Sequence, residues 1–500
     1  MKKTAIIGII AACLLSLPLY AQKVTILHTN DFHSQIYPEA SSGNGGIARL
    51  KAAIDSVRAA TDNVLLVNAG DAVQGSLFFT LFKGEVEQKL MNDMGYDILI
   101  VGNHEFDNGI ESLAQQYSTA HQDIVSTNYD FDNTALKGKT KPYVVRQFGD
   151  KKIGFMALNI NPVGIIDEAC YRGLRWLETV EAAQAMAWYL KNIEKVDKVI
   201  ALTHIGYDDI AGTDDVEVAA KSRYIDAVIG GHSHTLVDPD SNMALVKNLD
   251  GKDVLVLQAK SNGFYLGELV IDFDKDSLDA KLIPVNSRLD NRLDPAFLAT
   301  IEPYRHKVDS ICSIVIGKTV QEMPRTSMAL LNWLTDFVKD QGEKIYGKGV
   351  DLAIFAKGGI RSSFPKGNIS KGDIMTALPF VNKIEVLSIK GSDLLDNFAI
   401  MASQGGQGVS RNVDIVYNPD DNTIVSATID GKAVDPDKTY TLATIDYLAN
   451  GGDYFAPLTR ASKIAQSEEI IFDEIIYELE KGRLKGKLIK SDNTVRMHTK

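Results

Sequence analysis

The sequence predicts a layered α/β protein with more than one domain, and two observations carry that prediction. From Lys23 to about Asp274, short apolar runs of strand length alternate with segments whose apolar residues recur at helical spacing, which is the signature of an α/β domain. The chain is also 500 residues long, more than one hydrophobic core usually serves, so a second domain follows from size.

Taken in order, the expected strands of the first domain are 24–27, 64–68, 98–101, 153–158, 199–202, 227–229 and 254–258. Between the first two, Ile47, Leu50, Ile54 and Val57 recur at helical spacing and read as a crossover helix. A more polar connection covers about 286–314; its 301–311 portion reads as a helix, with Pro303 tolerated in the first turn. Beyond it, 328–339 reads as a helix, 350–355 as a strand and Gly358-Gly359 as a turn. The division expected is 22–290 for the first domain, 291–318 for a partly helical linker and 319–500 for the second domain.

Residues 1–21 read as a secretory signal. Met1-Lys2-Lys3 precedes an apolar stretch from Ala5 to Leu19, and Leu19-Tyr20-Ala21 stands before the polar Gln22, so cleavage is expected after Ala21 and the mature protein in the periplasm or outside the cell. A lipoprotein box ending at Cys13 competes, but it sits too early and the apolar run continues past it. No later run approaches the ~20 apolar residues of a membrane span. Cys170 and Cys312 then remain, expected as two buried free thiols rather than a disulfide. A formal charge of −12 argues against a nucleic-acid polymer as partner and leaves small phosphates open.

Six short clusters carry the chemistry: Asp31-Phe32-His33, Gly70-Asp71, Asn103-His104-Glu105-Phe106-Asp107, Thr203-His204, His232-Ser233-His234 and, weaker, Asp208-Asp209. They hold five of the nine histidines, all in the first half. Most follow an apolar run, hence the carboxyl end of a strand, where loops of α/β folds converge on ligands. Two divalent cations need a bridging carboxylate with imidazole and oxygen ligands around it. Asp71, alone after its strand, is the best bridge. Asp31 and His33 lie two apart, so an extended segment points both to one side, and His232 and His234 repeat that spacing. Asn103 offers a neutral oxygen and His204 a further nitrogen. His104 must diverge from Asn103, and Asp107 can accept its ring proton, so this pair reads as a working imidazole and its orienting carboxylate. His28, His121, His306 and His498 read as satisfied structural residues, Asp208-Asp209 as a solvated turn, and Glu105 is left without a role.

At these residues the chain resembles the secreted 5'-nucleotidase family, which includes bacterial UDP-sugar hydrolases and the animal ecto-enzyme. The stretches that carry the resemblance are 26–33, 68–71, 102–109 and 230–235, and the similarity extends over nearly the whole mature chain. It implies a calcineurin-like metallophosphoesterase domain, an α/β/β/α sandwich, followed by an α+β nucleotide-binding domain. It also implies one metal on Asp31, His33, Asp71 and His234, a second on Asp71, Asn103, His204 and His232, and His104 with Asp107 as the catalytic pair. In the second half, 357–361, 378–382 and 448–453 resemble the family's nucleotide-binding motifs. They imply Arg361 and Arg325 on phosphate-like groups, Phe380 and Tyr447 sandwiching the base, and Asn382 and Asp453 in polar contact.

Ala356 stands where the family often has asparagine, Tyr447 where phenylalanine is common, and His234 where some relatives have an amide. Two stacking faces suit any base, and the planar fork of Arg361 suits phosphate. The expectation is an exported enzyme with two divalent cations (Zn, Mn, Mg or Co), which releases phosphate from nucleoside 5'-monophosphates by in-line attack of a metal-bound hydroxide, the two domains closing over the nucleotide. A 2',3'-cyclic nucleotide phosphodiesterase and 3'-nucleotidase, a nucleotide-sugar pyrophosphohydrolase and a non-catalytic nucleotide-binding protein are the alternatives.

Overall fold

The computed structural model describes residues 23–39, 42–208, 212–490 and 492–500. The expected signal segment 1–21, with Cys13, lies outside the described residues, as does Asp209.

Two six-stranded sheets form the first half. In one, β1 (Lys23–Thr29), β2 (Val64–Asn68) and β3 (Ile98–Ile100) run parallel. In the other, Lys151–Asn159, β4 (Lys198–His204) and β5 (Ala227–Ile229) do the same. Alternate side chains explain the stacking. Val24 and Ile26 of β1 and Leu65 and Val67 of β2 meet Phe155, Ile200 and Ile229 in a core between the sheets. Leu27, Leu66 and Leu99 point the opposite way, into a core with Leu50, Ile54 and Leu90 of helices Ile47–Arg58 and Glu85–Met94. On the far side, Met156, Ala201 and Val228 pack under helices Thr179–Asn192 and Asp215–Ala220. The order of layers is therefore α/β/β/α. Strands covered on both faces need continuous apolar runs, and each buried Leu, Ile or Val contributes about 1.5–3 kcal/mol.

Register decides where the site can form. Thr29 lies opposite Asn68, and Asn68 opposite Leu99, so β1 and β2 end nearly level; Leu202 of β4 lies opposite Ile229 of β5. All five carboxyl ends open on one edge of the sandwich.

The second half is built on a five-stranded sheet ordered Gly408–Val409, Leu352–Phe355, Thr439–Ile445, Lys383–Lys390, Ser462–Ile470. Helix Met328–Tyr346 lies along it, capped by Ser327 Oγ accepting from the Leu330 N–H at 3.3 Å and ended by Gly347 at φ 71°.

Three expectations need correction. The connecting helix runs Pro295–Cys312, beginning earlier than 301 because Asp294 caps it with Pro295 at its first position. Pro303 therefore lies in its interior, where a missing N–H costs stability; packing offsets this, since the helix lies on both Leu77–Phe82 of the first half and Lys371–Ala377 of the second. Cys170 and Cys312 are free but not buried: the first is half-buried and the second, at the helix end, is exposed. His28 is a core residue without being satisfied. It faces the gap between the sheets over Gly267, and its Nδ1 has no hydrogen-bond partner among the described residues.

Burial holds His28 down to about 4 from its ordinary 6.5. The unfolded chain thus binds a proton between pH 6.5 and 4 that the folded chain refuses, so this stability is full above pH 6.5 and drains as the pH falls toward 4. Replacing His28 by Leu should flatten the acid limb of a thermal-melt series by an amount on the order of 2–3 kcal/mol relative to the parent protein.

Candidate active site

The loops leaving the five strands bring the clusters together. Five of the seven expected ligands have left-handed backbone: Asp31 (φ 48°), His33 (51°), Asp71 (50°), His232 (78°) and His234 (55°). The expectation that an extended segment aligns Asp31 with His33, and His232 with His234, is thus wrong in its means. The chain must turn sharply off the strand ends to aim both side chains inward, and left-handed residues make that turn at some cost in strain.

The side chains converge closely. His33 Nε2 lies 2.9 Å from His234 Nε2, and Asp31 Oδ1 lies 3.9 Å from His33 Nε2 and 3.5 Å from His234 Nε2. On the other side, Asp71 Oδ2 is 3.0 Å from His204 Nε2, and Asn103 Oδ1 stands 3.2 Å from that nitrogen and 2.9 Å from His232 Nδ1. Asp31, His33 and His234 form one set of donors within 4.8 Å of one another; Asp31, Asp71 and His204 form another, and His33, Asp71 and His104 a third. The ring of His204 is fixed by the Ala69 carbonyl, 2.8 Å from Nδ1, leaving Nε2 aimed inward. Gly70 (φ 87°) is required here, because any Cβ would lie 2.6 Å from that Nδ1.

The electrostatics suit cations. Asp31 and Asp71 are buried, which by itself opposes ionisation, yet the surrounding imidazoles hold Asp31 below and Asp71 well below the usual carboxylate range. Burial would lower His204, but Asp71 and Asp31 push it up to about 10. His33 is held down to about 3, chiefly by burial, which favours the neutral ring with one nitrogen lone pair to offer. Two buried carboxylates, an amide oxygen and imidazole nitrogens make a mixed donor set that fits divalent transition metals.

Glu105 has a role after all. Its carboxylate accepts from the backbone N–H groups of Gly102 at 2.6 Å, Ala72 at 2.9 Å and Asp71 at 3.1 Å, tying the loop after β2 to the loop after β3. Burial and the charge of Asp71 push it up to about 7. The only signal for it in the sequence was an acid flanked by a candidate catalytic histidine and a core phenylalanine. His104 stands beside the expected ligands, its ring centroid 5.3 Å from that of His33. Its Nδ1 lies 3.0 Å from Asp107 Oδ2, and although burial opposes its charge, Asp107 and Asp71 raise its pKa above the usual range.

A cavity of about 400 Å³ opens beside His104 and is lined from both halves. Asn103, His104, Asp107 and His232 stand at one end; Arg361, Phe380, Asn382, Tyr447 and Asp453 line the rest. Arg361 Nη2 lies 3.4 Å from His104 Nε2, and its guanidinium sits 5.1 Å over the Phe380 ring. Arg325 does not line the cavity: it is exposed, with its N–H on Ser363 Oγ, although after desolvation its charge helps lower the pKa of half-buried Arg361.

Two family models match successive parts of the chain. Residues 24–236 match the model for calcineurin-like phosphoesterases and residues 309–460 the model for the 5'-nucleotidase C-terminal domain. A 5'-nucleotidase of Homo sapiens is 30% identical over 492 residues, covering 87% of this chain and 84% of its own. The chain belongs to the 5'-nucleotidase family. A trifunctional nucleotide phosphoesterase of Bacillus subtilis is 28% identical, covering 88% of this chain and 32% of its own length. The structure of a 5'-nucleotidase precursor from Thermus thermophilus superposes with a TM-score of 0.82 at 27% identity, covering 95% of this chain and 99% of that one. As a member of the 5'-nucleotidase family, the protein is a phosphoric monoester hydrolase.

The family resemblance gave no role to Glu105 or to the segment 162–170, whose Ile165, Asp167 and Cys170 line the cavity from the first half. Glu105→Ala should weaken divalent-metal binding about 10- to 100-fold and lower stability by about 2–4 kcal/mol, because three backbone donors lose their acceptor. Metal titration and thermal unfolding measure the two effects.

Proposed function

We propose that this protein hydrolyses nucleoside 5'-monophosphates to nucleoside and inorganic phosphate. Residues 22–290 would form the catalytic domain, 291–318 the connection and 319–500 the nucleoside-binding domain. The observation that carries the reading is the single cavity in which the His104–Asp107 pair meets Arg361, Phe380 and Tyr447.

Asp31, His33, Asp71 and His234 would hold one divalent cation, and Asp71, Asn103, His204 and His232 the other, with Asp71 shared. Bound there, the cations would supply Lewis-acid charge and a water acidic enough to act near neutral pH. The protein's own groups do the rest. Arg361 presents paired donors to phosphate oxygens beside His104. Asp107 keeps the His104 ring oriented, and the protonated imidazole stabilises the phosphoryl group or protonates the leaving oxygen. Phe380 and Tyr447 offer faces to the base, Asn382 a polar contact, and Asp453 an acceptor between Arg361 and Tyr447. A volume of 400 Å³ falls in the ~300–1,000 Å³ range of small-molecule sites and suits a mononucleotide. Arg325, outside the cavity lining, would act on Arg361 through its charge. The export reading rests on residues 1–21; no helix among the described residues is long and apolar enough to cross a membrane.

A panel of AMP, UMP, ADP, UDP-glucose, 2',3'-cyclic AMP and a simple phosphate ester should give the highest kcat/KM on the 5'-monophosphates. Preference for the cyclic or sugar substrates would move the assignment to those reactions. His104→Ala should cut phosphate release about 10²- to 10⁴-fold while nucleotide binding measured by calorimetry persists; undiminished release would remove His104 from the mechanism. Chelation should abolish turnover, and adding back divalent cations one at a time should restore it and rank them.

A further inference from the structure

The two halves touch around the base end of the cavity through one turn. Residues 162–166 form a turn closed by the Ile165 and Ile166 N–H groups on the Pro162 carbonyl, at 3.1 and 2.9 Å. Asp167 follows and caps the short helix Glu168–Cys170. Against this turn the second half places residues 447–454. Tyr447 Oη lies 3.2 Å from the Ile165 carbonyl, Asn450 Nδ2 lies 3.1 Å from Asp167 Oδ2, and the Tyr454 ring sits where a side chain on Gly164 would be, 3.1 Å from its Cβ position.

Tyr447 Oη also lies 3.0 Å from Asp453 Oδ1 and accepts from the Asp453 N–H at 3.2 Å. The hydroxyl therefore has one proton and two acceptors within reach, the carboxylate of its own half and a carbonyl of the other. The arrangement is held in place. The Tyr447 ring lies against Gly452, where any Cβ would come within 2.5 Å of it, and Asp453 adopts a left-handed conformation (φ 52°) whose carbonyl accepts from Gln404 at 2.8 Å.

Asp453 stands between Arg361 and Tyr447, so in a bound nucleotide its carboxylate would face the sugar. As an acceptor it can take only a donor there, and the donors every ribonucleotide offers at that level are its ribose hydroxyls. A ribose hydroxyl that donates to Asp453 lowers the carboxylate's demand for the Tyr447 proton, which shifts toward Ile165. Closing on Ile165, in turn, leaves Asp453 in need of a donor. The two bonds favour each other, and such coupling is reciprocal.

We infer that Tyr447 is a specificity-determining positioning residue whose hydroxyl couples recognition of a ribose hydroxyl at Asp453 to closure of the 162–167 turn over the base. The inference rests on the nucleoside-monophosphate reading given above. Phenylalanine at 447 would keep the stacking face and lose the coupling.

The test compares kcat/KM for AMP and for 2',3'-dideoxyadenosine 5'-monophosphate. The unaltered enzyme should prefer AMP, and Tyr447→Phe should narrow the ratio about 3- to 10-fold, the worth of one hydrogen bond, mainly through a higher KM for AMP. In an Asp453→Asn background the same change should narrow it no further. An equal loss on both substrates would overturn the inference alone. Failure of the unaltered enzyme to cleave AMP would overturn the proposed function and this inference with it. A second measurement needs no variant: hydrogen exchange at residues 162–167 should slow more with adenosine than with 2',3'-dideoxyadenosine, and equal slowing would overturn the coupling.

Discussion

Two carboxylates, Asp31 and Asp71, lie almost wholly out of contact with water at the open edge of the sandwich, and buried charge is tolerated only where partners compensate it. Their partners come from every strand end that reaches this edge. Asp31 accepts from the Asn30 amide and the His232 N–H, and Asp71 from the His104 N–H, while His33, His204 and His234 surround both. The level register of the parallel strands is what allows residues some two hundred positions apart to share this duty. Altering the register would leave the charges without compensation, so the fold and the site depend on the same alignment.

That alignment was readable in the chain because strands buried on both faces are written as unbroken apolar runs, and the clusters stand at their ends. The seven expected ligands and the His104–Asp107 pair accordingly meet in one place. Other features were hidden for physical reasons. A spacing of two between Asp31 and His33 reads as extended backbone, whereas the left-handed conformation is imposed by neighbours distant in sequence. Glu105 acts on backbone N–H groups, which have no residue code. Pro303 looked like a helix start because proline favours first turns, but the cap lies earlier, at Asp294. The wall formed by 162–170 belongs to a loop whose sequence has no periodic signal, and Arg325 shows that a basic residue near a motif need not enter the cavity.

The cavity belongs to neither half. Its end at His104 is set by loops of the sandwich and the rest largely by the second half, while helix Pro295–Cys312 rests on both. Tyr304 of that helix packs edge-on against Phe82 of the first half, 4.9 Å between ring centroids. Chemistry at one end and recognition at the other thus remain separable in sequence and joined in space. Loops at the far end of the cavity can vary without disturbing the expected metal ligands.

The left-handed residues at the sandwich edge set this protein's evolutionary options as well as its geometry. Asp31, His33, Asp71, His232 and His234 hold a conformation that glycine adopts without strain and that larger side chains resist. At each of these positions a glycine would relieve backbone strain while deleting an expected ligand. Each such change would also unbalance the buried charges, so strain relief and charge compensation oppose each other at this edge. The strain at this edge is thus carried by the residues expected to hold the cations, and it is the conformational cost of bringing five of them to one place.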